Sequence, residues 1–292
     1  MTMTRVLISP EELKTGLTDG TVSDVLDVRW SLDSPDGRDA FRRGHIPGSR
    51  YVSLDDELSD LAVKHRGRHP LPSPDRTADF IDRLDTTGTV VVYDDWLRAG
   101  SSRAWWVLTS AGVENVRVLD GGLASWTSVS VELETGPGSG TGLTDSGRSA
   151  TVRVEPVDPY SGKIRPVIAA DELDAFVSGG GVLLDARARA RYLGEHNPVG
   201  EVPGHIPGAR SQYFADMLNE HGFFRSPTAI RALLHTRGVE GGRPAAAYCG
   251  SGVTASVVIA AARSADIEVA LFPGSWSEWS AEADRPVQLI ET

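Results

Sequence analysis

A lone cysteine beside a glycine-broken turn is the feature of this chain best suited to covalent chemistry. Cys249 ends the short apolar run RPAAAYC and is followed by GSGVTA and by the alanine- and valine-rich stretch SVVIAAARSA. That order reads as a strand stopping at a thiol, a turn, and then a helix start. Such a turn aims the backbone N–H groups of Gly250 through Ala255 and the positive helix end at the sulfur, which favours the thiolate and any anion built on it. A single cysteine can equally be a small, inert core residue, but an inert residue does not require Gly250 and Gly252 beside it. Metal chemistry has no comparable support. One cysteine and seven dispersed histidines offer no ligand spacing, so neither a metal nor another cofactor is expected.

The scaffold that must position this loop occurs twice. VLDVR at Val25 matches LLDAR at Leu183, and GHIPGSR at Gly44 matches GHIPGAR at Gly204. VVVYDD ending at Asp95 then matches AAAYCG ending at Gly250, and GGLASW at Gly121 matches GSWSEW at Gly274. The offsets are 184 − 26 = 158, 205 − 45 = 160, 248 − 93 = 155 and 279 − 126 = 153. Four matches in the same order with so little drift describe a duplicated domain with small loop insertions.

Each copy alternates short β-rich runs with helical stretches. Strands are expected at VSDVLDV, TVVVYD and VRVLD in the first copy, and at GVLLDA, AAAYC and EVALF in the second. Helices are expected at TADFIDRLD, SSRAWWVLTSAG, SPTAIRALLHTRG and after Cys249. Continuous apolar strands separated by helices imply an α/β fold with parallel sheets covered on both faces. Between the copies, TGPGSGTGLTDSGRSA is rich in glycine and small polar residues without periodicity and reads as a linker. The expected organisation is therefore a first domain over 1–135, a linker over 136–150 and a second domain over 151–292.

Duplication also separates scaffold from chemistry. His45 and His205 both sit in GHIPG, and the Asp27/Arg29 and Asp185/Arg187 pairs are likewise symmetric, so all six are expected to be structural. Cys249 instead faces Asp94 across the repeat, which leaves the first copy without a nucleophile and makes it the catalytically silent one.

Composition bounds the partners. A chain of 292 residues, 40% hydrophobic and 24% charged, can bury two cores. Its formal charge of −11 argues against nucleic acid and against an anionic membrane surface. Small molecules and proteins are the expected partners. No apolar stretch approaches the roughly 20 residues that span a bilayer, and MTMTRVLISPEEL lacks the apolar core of a secretory signal. A cytoplasmic location is expected.

HIPG in both halves, the CGSGVTA loop and GSWSEW resemble the tandem-domain rhodanese-type sulfurtransferases over nearly the whole chain. CGSGVTA is similar in particular to the loop of the 3-mercaptopyruvate sulfurtransferases, whereas thiosulfate-preferring relatives place basic residues just after the cysteine. That difference has a physical basis. The sulfonate-like group of thiosulfate favours Arg or Lys in the loop, while a neutral Gly-Ser-Gly loop suits a keto-acid thiol.

The resemblance implies two rhodanese-like domains and a persulfide on Cys249, cradled by the backbone of Gly250, Gly252, Val253, Thr254 and Ala255. It implies discharge to an acceptor thiol such as reduced thioredoxin, or to cyanide. It assigns a proton relay to Ser251, His69 in RGRHPLP and Asp55, each of which also fits an ordinary polar turn or loop. Arg191 in ARYLG matches the arginine that binds the donor carboxylate, and its counterpart in the first copy is Asp33. The second arginine usual in mercaptopyruvate enzymes is absent from GEHNPVGEVPG, which leaves Arg187, Arg189 and His196 as substitutes. Two other classes compete. A cysteine phosphatase needs arginine six positions after the cysteine, where this chain has Ala255. A binding module without activity would not require the complete cysteine loop. Thiosulfate:cyanide transfer stays open as the alternative reaction.

Overall fold

The computed structural model describes residues 5–130, 132–138, 157–196 and 201–289, which fall into two compact units. The first comprises Met1–Asp60, Leu71–Arg165 and Glu220–Phe224; the second comprises Leu61–Pro70, Pro166–Asn219 and Arg225–Thr292. Most of the expected linker, from residue 139 onward, lies outside the described residues.

In the first unit the chain runs β1 (Leu7–Ile8), α1 (Pro10–Asp19), β2 (Val22–Asp27), α2 (Arg38–Arg43), β3 (Arg50–Tyr51), α3 (Pro74–Ile81), β4 (Thr89–Tyr93), α4 (Ala99–Ser110), β5 (Val116–Leu119) and α5 (Gly122–Val129). Its five strands are parallel in the order β1-β5-β4-β2-β3. The second unit runs α6 (Leu173–Ser178), β6 (Val182–Asp185), α7 (Arg189–Tyr192), β7 (Arg210–Ser211), α8 (Pro227–Thr236), β8 (Ala245–Tyr248), α9 (Ala255–Ser264), β9 (Ala270–Leu271) and α10 (Ser275–Trp279). Its sheet is also parallel, ordered β7-β6-β8-β9, and a parallel bridge from Val167 to Leu271 takes the place that β1 holds in the first sheet.

All six expected strands are present, and the central ones are apolar because both faces are covered. Val90, Val91, Val92 and Tyr93 of β4 and every residue of β8 are buried. So are all twelve residues of α4 and the first eight of α9; α9 is apolar there apart from Ser256, whereas α4 buries polar groups as well, with Arg103 donating to the Leu58 carbonyl. The two cores repeat the same positions: Ile46, Tyr93 and Trp126 in one, Ile206, Tyr248 and Trp279 in the other.

The duplicated polar residues brace the strand ends. Arg187 pairs with Asp185 at 2.5 Å and donates to the Gly204 carbonyl at 2.8 Å; Arg29 does the same with Asp27 at 2.6 Å and with the Gly44 carbonyl at 2.6 Å. Burial pushes the Tyr248 hydroxyl far above its usual range, so it keeps its proton and donates to Asp185 Oδ2 at 2.6 Å. His45 and His205 are buried, stack on Phe41 and Tyr192, and bond through Nδ1 to the carbonyls of those same residues. Both are structural.

His205 therefore couples the fold to pH. Its Nδ1–H donates to Tyr192, and burial lowers the imidazole below its usual value of 6.5 despite the nearby Asp185. The unfolded chain then binds the extra proton first. Stability from this residue is complete above pH 6.5 and is lost as pH falls through the lowered value. Urea midpoints measured from neutral pH down to about pH 5, within histidine's titration range, should fall less steeply for His205→Gln than for the wild type. Equal slopes would exclude His205 as the source.

Candidate active site

The thiol is held at the end of β8 by a loop clamped from two sides. Cys249 is 1% exposed, and residues Gly250 to Ala255 are all buried. Its Sγ accepts the Gly252 N–H at 3.1 Å. Gly252 has φ +78, a left-handed conformation that side chains seldom adopt, so this turn requires glycine. Gly250 faces two guanidinium groups: a Cβ there would sit 3.0 Å from Arg68 Nη2 and 3.5 Å from Arg191 Nη2.

The start of α10 supplies the clamp. Trp276 and Ser277 donate their N–H groups to the carbonyls of Cys249 and Gly250, each at 3.0 Å. Ser275 Oγ accepts the Cys249 N–H at 3.0 Å and donates to the Phe272 carbonyl at 3.0 Å. Ser275 pays for this role with φ +54, a conformation that costs an ordinary residue roughly 1–2 kcal/mol.

The segment around His69 is bound to the same loop. His69 Nδ1 lies 2.8 Å from Ser251 Oγ, and Arg68 donates its N–H to Ser277 Oγ at 3.0 Å. Although Leu61–Pro70 is part of the first repeat by sequence, it belongs to the second unit. Ser251 is 5% exposed and His69 is half-buried, so the pair can carry a proton between the thiol loop and solvent. Glu201 completes the charge pattern, with Oε1 3.1 Å from Arg68 Nη2 and Oε2 2.5 Å from Arg191 Nη2.

In the first unit the loop at the position of Cys249 holds a carboxylate of its own. Asp94 is fully buried and accepts the N–H groups of Trp96, Arg98 and Ser101 at 3.2, 3.2 and 2.9 Å. It also accepts the Ser101 hydroxyl at 2.7 Å and pairs with Arg98 at 3.1 Å. The duplicated scaffold thus builds an anion cradle at this strand end. In one copy a carboxylate fills it; in the other a thiol faces it.

The sequence pattern of the rhodanese-like domain matches residues 9–129 and 169–282 of this chain. The chain belongs to the rhodanese family. It is 46% identical over 285 residues to SseB of Mycobacterium tuberculosis, whose name assigns it provisionally to the thiosulfate sulfurtransferases; 97% of this chain and 96% of that one are covered. It is 33% identical over 278 residues to the 3-mercaptopyruvate sulfurtransferase of Escherichia coli, covering 91% of this chain and 92% of that one. Among solved structures, SseA from Escherichia coli superposes with a TM-score of 0.76 at 28% identity over 94% of this chain and all of the other. Like these rhodanese relatives, this chain is an enzyme, a sulfurtransferase.

Of the residues the resemblance implied, the fold gathers Cys249, Ser251, His69, Arg191, Gly250, Gly252, Val253, Thr254 and Ala255 within the second unit. Asp55 belongs to the first unit, where burial, then the neighbouring charges of Asp56 and Asp36, raise its carboxyl above the usual range. Of the substitutes for the second arginine, Arg187 is committed to Asp185 and Gly204, and Arg189 and His196 are exposed; the guanidinium nearest the open face of Gly250 is that of Arg68. Arg68 precedes His69 directly in the chain.

Ser275 and Glu201 were also missed. Ser275 was detectable, because the repeat offset 275 − 122 = 153 places it opposite Gly122, which has φ +59. A serine that replaces a left-handed glycine only in the cysteine-bearing copy is an asymmetry of the useful kind. No comparable signal marked Glu201. A surface cleft of about 970 Å³ lined by residues including His235, Arg243 and Asp266 lies at the opposite end of β8 and carries no nucleophile.

Proposed function

We propose that this enzyme moves sulfur from 3-mercaptopyruvate to a thiol or cyanide through a persulfide on Cys249. The Cys249 thiolate attacks the donor sulfur, an S–S bond forms, and the C–S bond breaks with its electron pair passing to carbon as the enolate of pyruvate. The donor's thiol proton ends on that carbon, and the Ser251–His69 pair is the route for it. An acceptor thiolate or cyanide then takes the outer sulfur and returns the Cys249 thiolate. Reduced thioredoxin or a small thiol suits this step, and such thiols are kept reduced in the cytoplasm, where the enzyme is expected to work. No helix among the described residues is long and apolar enough to cross a membrane.

The observation that carries this reading is the buried thiol in a neutral loop, with an N–H on the sulfur at 3.1 Å and a Ser–His pair at 2.8 Å beside it. Backbone N–H groups of the loop stabilise the terminal persulfide anion as an oxyanion hole stabilises developing charge. The silent first repeat and the role of Asp55 rest on the repeat asymmetry and the family resemblance. Thiosulfate is the second reading, favoured by the name of the mycobacterial relative. Steady-state transfer to cyanide from each donor separates the two. The expected result is a kcat/KM for 3-mercaptopyruvate at least about tenfold above that for thiosulfate, equivalent to one charge-assisted contact. The reverse ratio assigns the chain to the thiosulfate enzymes.

A further inference from the structure

Three charged side chains from separate segments converge on the residue that follows the nucleophile. Arg68 and Arg191 both reach the open face of Gly250, and the single carboxylate of Glu201 bridges them. Glu201 and Arg191 are 14% and 15% exposed, whereas Arg68 is 49% exposed. Arg191 Nε is buried and has no hydrogen-bond partner. Two guanidinium groups against one carboxylate leave a net positive charge, and donor N–H capacity, beside Cys249.

Beyond the carboxylate contact that the family resemblance already gives Arg191, we infer that Arg68 is the second arginine on the carboxylate of a 2-oxo acid donor, and that Glu201 is the resident occupant of this site, which the donor displaces. This inference rests on the proposed mercaptopyruvate reaction. The chemistry follows from the pairing itself. A side-chain carboxylate already bridges the two guanidinium groups, one oxygen against each, as a donor carboxylate would. A donor held there places its remaining atoms over Gly250, next to the sulfur. Arg68 thereby replaces the second arginine missing from the loop before the second HIPG, and Glu201 sets the concentration of donor needed to open the site.

The opposite role for Glu201 is a permanent brace that orients Arg191, and the two roles predict opposite signs. Pyruvate carries the carboxylate and keto group but no transferable sulfur, so its binding reads the site without turnover. Calorimetric titration of pyruvate into the full-length protein should show binding strengthened about tenfold in Glu201→Gln. Binding should weaken about fivefold in Arg68→Ala, an amount suited to a half-exposed charge, and recover in part in Arg68→Lys. KM for 3-mercaptopyruvate should move in the same directions.

Weaker or unchanged pyruvate binding in Glu201→Gln, or no effect of Arg68→Ala, overturns the inference. Absence of pyruvate binding to the wild type overturns it as well. If thiosulfate alone binds with these dependences, the assignment to a carboxylate is wrong. Failure of the wild type to transfer sulfur from 3-mercaptopyruvate, with the pyruvate results as expected, would instead sink the reaction while leaving the anion site intact.

Discussion

Cys249→Ser is expected to reduce sulfur transfer from either donor to the rate seen without enzyme. The hydroxyl is close in size to the thiol and can still accept the Gly252 N–H that now reaches sulfur at 3.1 Å. The Ser275 contact to the backbone N–H of residue 249 is untouched by the change. The loop should therefore keep its shape while losing the one atom able to form a persulfide, since the thiolate is the nucleophile in such exchange. Three measurements are decisive together: steady-state transfer to cyanide, the urea midpoint as a control for folding, and the intact mass after donor without acceptor. The wild type should gain the mass of one sulfur atom and the variant should not. Normal turnover by the serine variant would refute the mechanism.

The second large effect is on stability. Asp94→Ala should cost about 3–5 kcal/mol, the usual range for breaking a buried ion pair. Truncation removes the acceptor for three backbone N–H groups, for the Ser101 hydroxyl and for Arg98, whose side chain is 5% exposed. Asp94→Asn keeps the shape and one acceptor oxygen, so it should fall between alanine and the wild type. Urea denaturation of the full chain followed by tryptophan fluorescence is a suitable readout, because Trp105 and Trp106 on the adjacent α4 are buried. A loss under about 1 kcal/mol, as at an exposed pair, would mean that the cradle relaxes or admits water. Persistence of sulfur transfer in a correctly folded Asp94→Asn variant would agree with a first copy that performs no chemistry.

Local order along the chain explains which features were legible. A strand, its terminal residue, the turn and the following helix are contiguous, so the run from Ala245 to Ser264 could be read directly. The duplication pairs Ile46 with Ile206 and Tyr93 with Tyr248 from the sequence alone, and each pair holds matching places in the two cores. The two-residue strands β3 and β7 escaped notice because they are too short to carry a period. The left-handed Ser275 was visible only by comparing GSWSEW with GGLASW, since serine by itself signals nothing about φ.

The sequence by itself determined the cysteine loop, the repeated parallel α/β scaffold and the copy that holds the only cysteine. Only the tertiary structure decided which charges face that loop. Arg187 looked available and is consumed by Asp185, while Arg68 meets Glu201 and Arg191 across more than a hundred residues of chain. A covalent site is written locally because one residue and its own backbone make it. An anion site is a sum of charges that only folding brings within a few ångströms, and which arginine remains for a ligand depends on which carboxylates the fold has already spent.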